Sequence, residues 1–267
     1  MNQIIKVACV SGGRESTAMT IKKGLEYWDE KNNGVKIFAN TGDDPNGLQV
    51  VHDLNDRFGW DVKIVTSRYG NIREYYANKI VDNEPEFTGH ALPSQANKDC
   101  SQKFKIYAIS DYLFERFGKD TSFELAFGMS FSKKEVGRME SIKSHQRKLD
   151  TAIFPLIDLR LDREQCGKIC EEYMGYTPKR SLCDMCFERT IQDWKDFYKD
   201  DPKACMSVID FEESSKLFKK YGYGLANKPI RKILRLPMIG QTNLQQYETK
   251  PCACIEDFCL QTEVQAQ

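Results

Sequence analysis

A chain of 267 residues with 40% apolar content is long enough to bury a real core and to fold by itself, as one large domain or as one domain with an appended lobe. Lys plus Arg and Asp plus Glu number 39 each, which excludes a global charge drive toward nucleic acid, a membrane surface or an acidic partner and leaves only local patches. No window approaches ~18 unbroken apolar residues, so no membrane contact is expected.

The chain enters an apolar run within four residues, with no basic segment leading into a long apolar stretch, which reads as cytoplasmic. The ten cysteines are then expected as thiols, metal ligands or redox groups rather than structural disulfides.

Strand-like runs recur at 4–10, 35–39, 62–65 and 123–127, separated by helix-length segments at 15–32, 46–58, 70–80 and 101–117. This alternation predicts an α/β fold, a mostly parallel sheet with helices on both faces. After about Asp150 the strand runs stop. Cysteines, aromatics and charges crowd together instead, with a further helix predicted at 162–173, and the texture is that of a helical, Cys-containing lobe. The expected division is a nucleotide-binding α/β domain at 1–150, the lobe at 151–227, and a basic segment with a Cys-bearing tail at 228–267.

The junction after the first strand reads VSGGRESTAM, residues 10–19. In a parallel sheet, ligands gather beyond the carboxyl ends of the strands, where a starting helix offers unpaired N–H groups to an anion. Gly12 and Gly13 permit close backbone approach, Ser11 and Ser16 add hydroxyls, and Arg14 adds charge. The alternative is a glycine turn with Ser11 or Ser16 as an N-cap. Neither the Walker sequence nor G-x-G-x-x-G is present.

Ser11-Gly12-Gly13-Arg14-Glu15-Ser16 resembles the pyrophosphate-binding loop S-G-G-x-D-S (PP-loop) of the adenine nucleotide alpha hydrolase superfamily. Later segments resemble the phosphoadenosine phosphosulfate (PAPS) reductase family within it: FANTGDD at 38–44, CSQKFKI at 100–106, GMSFSKKEVGR at 128–138, FPLIDL at 154–159 and PKRSLCDMCF at 178–187. The matches run in order from about residue 4 to 195. Two departures stand out. Glu15 replaces the usual Asp, and Ser132 to Lys134 occupy positions where the family carries acids.

The resemblance implies an adenine nucleotide at Ser11, Gly12, Gly13, Arg14, Glu15, Ser16, Thr41 and Asp43, with Arg138 from the 128–138 loop on the anion. For a reductase it implies reduction of PAPS or adenylyl sulfate to sulfite, with Cys259 as the tail nucleophile and thioredoxin or glutaredoxin as the partner. An ATP pyrophosphatase that adenylates a tRNA or DNA component for sulfur insertion is the alternative; it would need Mg2+, held at Asp43 or Asp44, and a nucleic-acid partner. A non-catalytic nucleotide-binding protein is the third reading.

Cys183 and Cys186 have the spacing that lets two sulfurs reach one metal from a tight turn. Cluster-bearing members of the family combine such a pair with cysteines from mid-chain. By that resemblance Cys100, Cys183 and Cys186 hold a [4Fe-4S] cluster; Asp99 stands where the second mid-chain cysteine is usual, so the fourth ligand is expected from the tail, Cys254 being chosen over Cys252 and Cys259, with zinc and plain thiols as alternatives.

Cys9, Cys166 and Cys170 are expected as buried thiols, and Cys205, His52, His90 and His145 have no motif around them. Lys133, Lys134, Arg138, Lys143, Arg147 and Lys148 follow the fourth strand, where a loop can close on phosphate or sulfate. Lys228, Arg231, Lys232 and Arg235 are read first as an amphipathic brace, since no aromatic stacking platform accompanies them.

Overall fold

The computed structural model describes residues 4–79, 89–94, 99–145, 147–222, 224–226 and 228–237. Five strands form one all-parallel sheet in the order β3-β2-β1-β4-β5: β1 Ile4–Cys9, β2 Gly34–Asn40, β3 Lys63–Thr66, β4 Ser122–Phe127 and β5 Thr151–Ile153. The first four fall where the apolar runs predict them. The fifth corrects the expectation that strands stop at Asp150, for it pairs in parallel with β4 through Leu125 and Ala152. With three residues it is too short to show a periodic signal.

Period-two alternation dictates the two faces. Ala8, Val10, Phe38 and Ala126 pack on one side against α1 (Arg14–Lys23), α2 (Pro45–Phe58) and α8 (Arg163–Met174), through Met19, Leu54, Cys166 and Cys170. Ile5, Val7, Val35, Ile37 and Phe123 pack on the other against Ala108 and Leu113 of α5 (Tyr107–Phe117). A sheet buried on both faces is why its central strands read as nearly continuous apolar runs.

The helix expected over 15–32 stops early. α1 ends at Gly24, whose φ of 90° no other residue adopts without strain, and two 3-10 turns, Leu25–Trp28 and Glu30–Asn32, carry the chain to β2. α3 spans Ile72–Asn78. The 101–117 helix begins as α4 (Asp99–Ser101), widens into a π-helical turn at Gln102–Ile106 and continues as α5. The 128–138 segment is a loop only to Ser132, since α6 occupies Lys133–His145. A short α7 (Pro155–Asp158) follows β5.

A second core forms the helical lobe. Trp194 and Phe197 of α9 (Ile191–Asp200) and Cys205, Val208 and Ile209 of α10 (Pro202–Ser214) close on Met185, Phe104, Ile72 and Tyr76. After α11 (Lys216–Tyr221), Ile230 of α12 (Ile230–Ile233) joins them. The brace reading of the basic stretch agrees with Arg231, which is 5% exposed and holds Glu213 at 2.6 and 3.0 Å. Among the described residues no helix is long and apolar enough to cross a membrane.

Candidate functional site

Strand order reverses between β1 and β4, so the loops after these two strands flank the switch point where open parallel sheets bind ligands. The loop after β1 carries Ser11–Ser16. Gly12 takes φ +74°, and a Cβ there would stand 2.3 Å from the Gly47 carbonyl oxygen at the start of α2. Gly13 faces the Ser181 amide, and a Cβ at Gly128 after β4 would fall 2.4 Å from the Ser16 α-carbon. The two glycines therefore serve close packing directly. The loop is pinned from three sides.

Ser16 locks it from within. Its hydroxyl donates to the Gly13 carbonyl at 3.0 Å, accepts from the Ser11 amide at 3.0 Å and meets the Ser11 hydroxyl at 3.0 Å. The Gly13 amide has only a long contact, 3.4 Å, to Ser11 Oγ. Gly13 is the N-cap of α1, and no side chain caps that helix. The amides of its first turn thus keep the unsatisfied donors that a helix start presents. The Ser11 amide is not among them, since Ser16 Oγ accepts from it.

The charged residues of the loop turn elsewhere. Glu15 pairs with Arg163 at 3.2 Å, and Arg14 Nε is buried without a hydrogen-bond partner. Arg138 lies on α6, well exposed, paired with Glu135 at 3.0 Å. Arg147 is engaged by Asp150 and by the Lys119 and Thr121 carbonyls, which ties β4 to β5 rather than to an anion.

Thr41 and Asp43 sit one strand over, and the structure couples them to the cysteine turn. Thr41 Oγ1 meets Cys183 Sγ at 3.2 Å. The Asp43 carboxylate accepts from Arg73 Nε at 3.0 Å and from the Met185 amide at 3.1 Å, while its carbonyl accepts from the Asp184 amide at 2.6 Å. Asp44 caps α2 through the Gly47 amide at 2.8 Å and accepts from the Ser181 hydroxyl at 2.6 Å. The two carboxylates at which Mg2+ is expected, Asp43 and Asp44, are thus each engaged by protein donors.

Cys183 and Cys186 close a turn through the Cys186 amide and the Cys183 carbonyl at 3.0 Å. The π-helical turn at Gln102–Ile106 lies between Cys100 and α5 and carries Lys105, whose charge interacts with these thiols. Burial pulls the Lys105 ammonium down, but Cys183, Asp44, Cys186 and Cys100 act against it and its pKa is raised overall. Burial pushes the Cys183 thiol up to about 12, opposed by Lys105 and the Thr41 contact, and it raises Cys186 and Cys100 too. These thiols are held protonated.

Among the described residues no group of three or more His, Cys, Asp or Glu side chains is disposed to hold a metal ion. Cys254, the expected fourth ligand, and Cys259, the expected nucleophile, lie outside the described residues. Cys166 and Cys170 are fully buried, as expected, and so is Cys205, for which the sequence offers no motif; burial pushes all three thiols up to about 12.

Sequence reasoning missed four contributors. Gly47 and Gly128 clamp the loop, Lys105 joins the thiols, and Asp184 is a buried carboxylate pushed up to about 6 by burial and by Asp43, with Arg189 and Arg73 opposing. The K-F-K pattern and the acid inside C-D-M-C are the only sequence hints of the last two.

The parallel sheet, its strand order and the glycine loop at the switch point together decide the architecture. The fold is α/β, an open parallel sheet with helices on both faces. No family model and no curated protein matches the chain. Among solved structures, a phosphoadenylyl-sulfate (PAPS) reductase from Candida auris in a phosphate complex is similar over 65% of this chain and 73% of its own, at 12% identity and a TM-score of 0.39. A likeness of that depth says nothing about reaction or residue roles.

Proposed function

We propose that the chain is a nucleotide-dependent enzyme of the PAPS reductase-like group, seating the phosphate or sulfate end of an adenine nucleotide on the first-turn amides of α1. The observation that carries this reading is the helix start without a side-chain cap, held at the switch point by Gly47, Ser181 and Gly128. An N-terminus so placed stabilises negative charge by dipole and by N–H donation.

In the reductase reading, the Cys259 thiolate attacks the sulfur of (phospho)adenylyl sulfate. A sulfur–sulfur bond forms, the bond from sulfur to the bridging oxygen breaks, and the adenine nucleotide leaves with that oxygen. A reduced thioredoxin-class dithiol then attacks the enzyme sulfur, releases sulfite and, through its second thiol, regenerates Cys259 while becoming a disulfide. The described thiols near Lys105 are poor candidates for this attack because burial keeps them protonated.

The intact Gly12-Gly13 pair favours a second reading, ATP pyrophosphatase chemistry that adenylates a nucleic-acid component before sulfur insertion. One assay separates the readings: ATP with Mg2+ scored for pyrophosphate, against PAPS or adenylyl sulfate with reduced thioredoxin scored for sulfite. Sulfite release is expected. Pyrophosphate release alone selects the second reading, and binding without turnover of either leaves a nucleotide-binding protein.

A further inference from the structure

A cavity of about 550 Å³ lies among the amino ends of α2, α3 and α10, and none of residues 11–16 or 128–132 lines it. Four aspartates contribute to its wall. Three are engaged: Asp43 by Arg73 and the Met185 amide, Asp44 as the cap of α2, and Asp201 as the cap of α10 through the Ala204 amide at 2.9 Å. Asp184 is different. It is only 8% exposed, no hydrogen bond reaches its carboxylate among the described residues, and Arg189 Nη2 stands at 3.8 Å, beyond hydrogen-bond reach.

Its ion pair with Arg189 is longer than a hydrogen bond, so the carboxylate oxygens keep capacity to accept from a donor in the cavity. The same wall carries the opposite charge. Lys203 makes no ion pair among the described residues, and Arg73 uses Nε on Asp43 and Nη1 on Ser207 but leaves Nη2 uncommitted. Pro45, Leu48 and Ala204 add apolar surface for a short carbon skeleton.

We propose that this cavity binds a small zwitterion of the amino-acid class, its ammonium donating to Asp184 and its carboxylate facing Lys203 and Arg73. The cavity shares Asp43 with the residues that the resemblance assigns to the nucleotide but none of the loop residues 11–16, and the proposal does not depend on which nucleotide reaction the chain performs. Its volume lies within the range of small-molecule sites.

Isothermal titration of the full chain with each common L-amino acid tests it, with butylamine and butyrate as one-pole controls. At least one amino acid is expected to bind more tightly than either control, and Asp184→Asn and Lys203→Glu are each expected to weaken it by about tenfold or more. Lys203 is exposed on the first turn of α10, so its variant keeps the test decisive if Asp184→Asn fails to fold. ATP and PAPS affinity should be unchanged in Lys203→Glu, and neither nucleotide should displace the amino acid. No amino-acid binding, equal binding of a control, wild-type affinity in Lys203→Glu, or displacement by nucleotide would each overturn the assignment.

Discussion

Gly12 and Gly47 touch backbone to backbone: the space a Cβ would take at Gly12 is filled by the Gly47 carbonyl, 2.3 Å away. Gly12→Ala therefore combines a left-handed φ of +74° with a backbone overlap, and a loss of about 2–4 kcal/mol is expected in chemical denaturation. Nucleotide affinity should fall with it, because the same contact holds the start of α1. A stability within ~0.5 kcal/mol of wild type would show that the loop and α2 do not meet in this way.

Ser16→Ala removes one hydroxyl that serves the Gly13 carbonyl, the Ser11 amide and the Ser11 hydroxyl. A loss of about 1–3 kcal/mol is expected, since part of this network is buried. Ser11→Ala, which takes away an exposed side chain, should cost less. The reverse order in thermal melts would place the lock on the wrong serine.

Arg73→Ala leaves the Asp43 carboxylate, 6% exposed, with the Met185 amide but without its cation. Losing one partner of a largely buried pair is expected to cost about 2–4 kcal/mol, and the double variant with Asp43→Asn should recover part of it. A double-mutant cycle with no coupling would separate the two residues energetically.

Glu212 has no exposed surface, and its carboxylate accepts from the Leu225 and Ile230 amides at 2.9 and 2.8 Å. Burial raises its pKa from 4.5 to about 7, with Glu213 adding to the rise and the two amides and Arg231 opposing it. A carboxyl raised in the folded state favours folding when protonated. Its contribution is full below about 4.5 and is lost as pH climbs through about 7. That interval corresponds to about 3 kcal/mol. Unfolding free energies across this window should decline in the wild type and much less in Glu212→Gln, and parallel profiles would rule the group out.

Lys105 lowers the pKa of Cys183 and Cys186 by its charge. In Lys105→Met, alkylation of the half-buried Cys186 should therefore shift to higher pH, followed by mass spectrometry of the modified peptide. An unmoved profile would mean that the ammonium does not reach the thiols.

The glycine loop, the first four strands and the burial of Cys166 and Cys170 were readable because each depends on residues close in sequence. Two glycines beside two serines mark a turn onto a helix, and apolar runs bounded by polar turns mark buried strands. β5 was not readable, because three residues carry no period and its pairing with β4 is set by Arg147 and Asp150 folding the chain back. The contacts of Thr41 and Asp43 were not readable for a similar reason. Their partners, Cys183 and Met185, lie more than a hundred residues away.

By itself the sequence determined the alternation of strands and helices and the glycine turn that opens α1, since both follow from local pattern and backbone freedom. Tertiary structure alone decided which donors and cations engage each carboxylate, and that the Lys105 charge acts on thiols distant in sequence. Charge, burial and hydrogen-bond supply are properties of neighbours, and here those neighbours are assembled from segments that meet only when the sheet and the helical lobe close on each other.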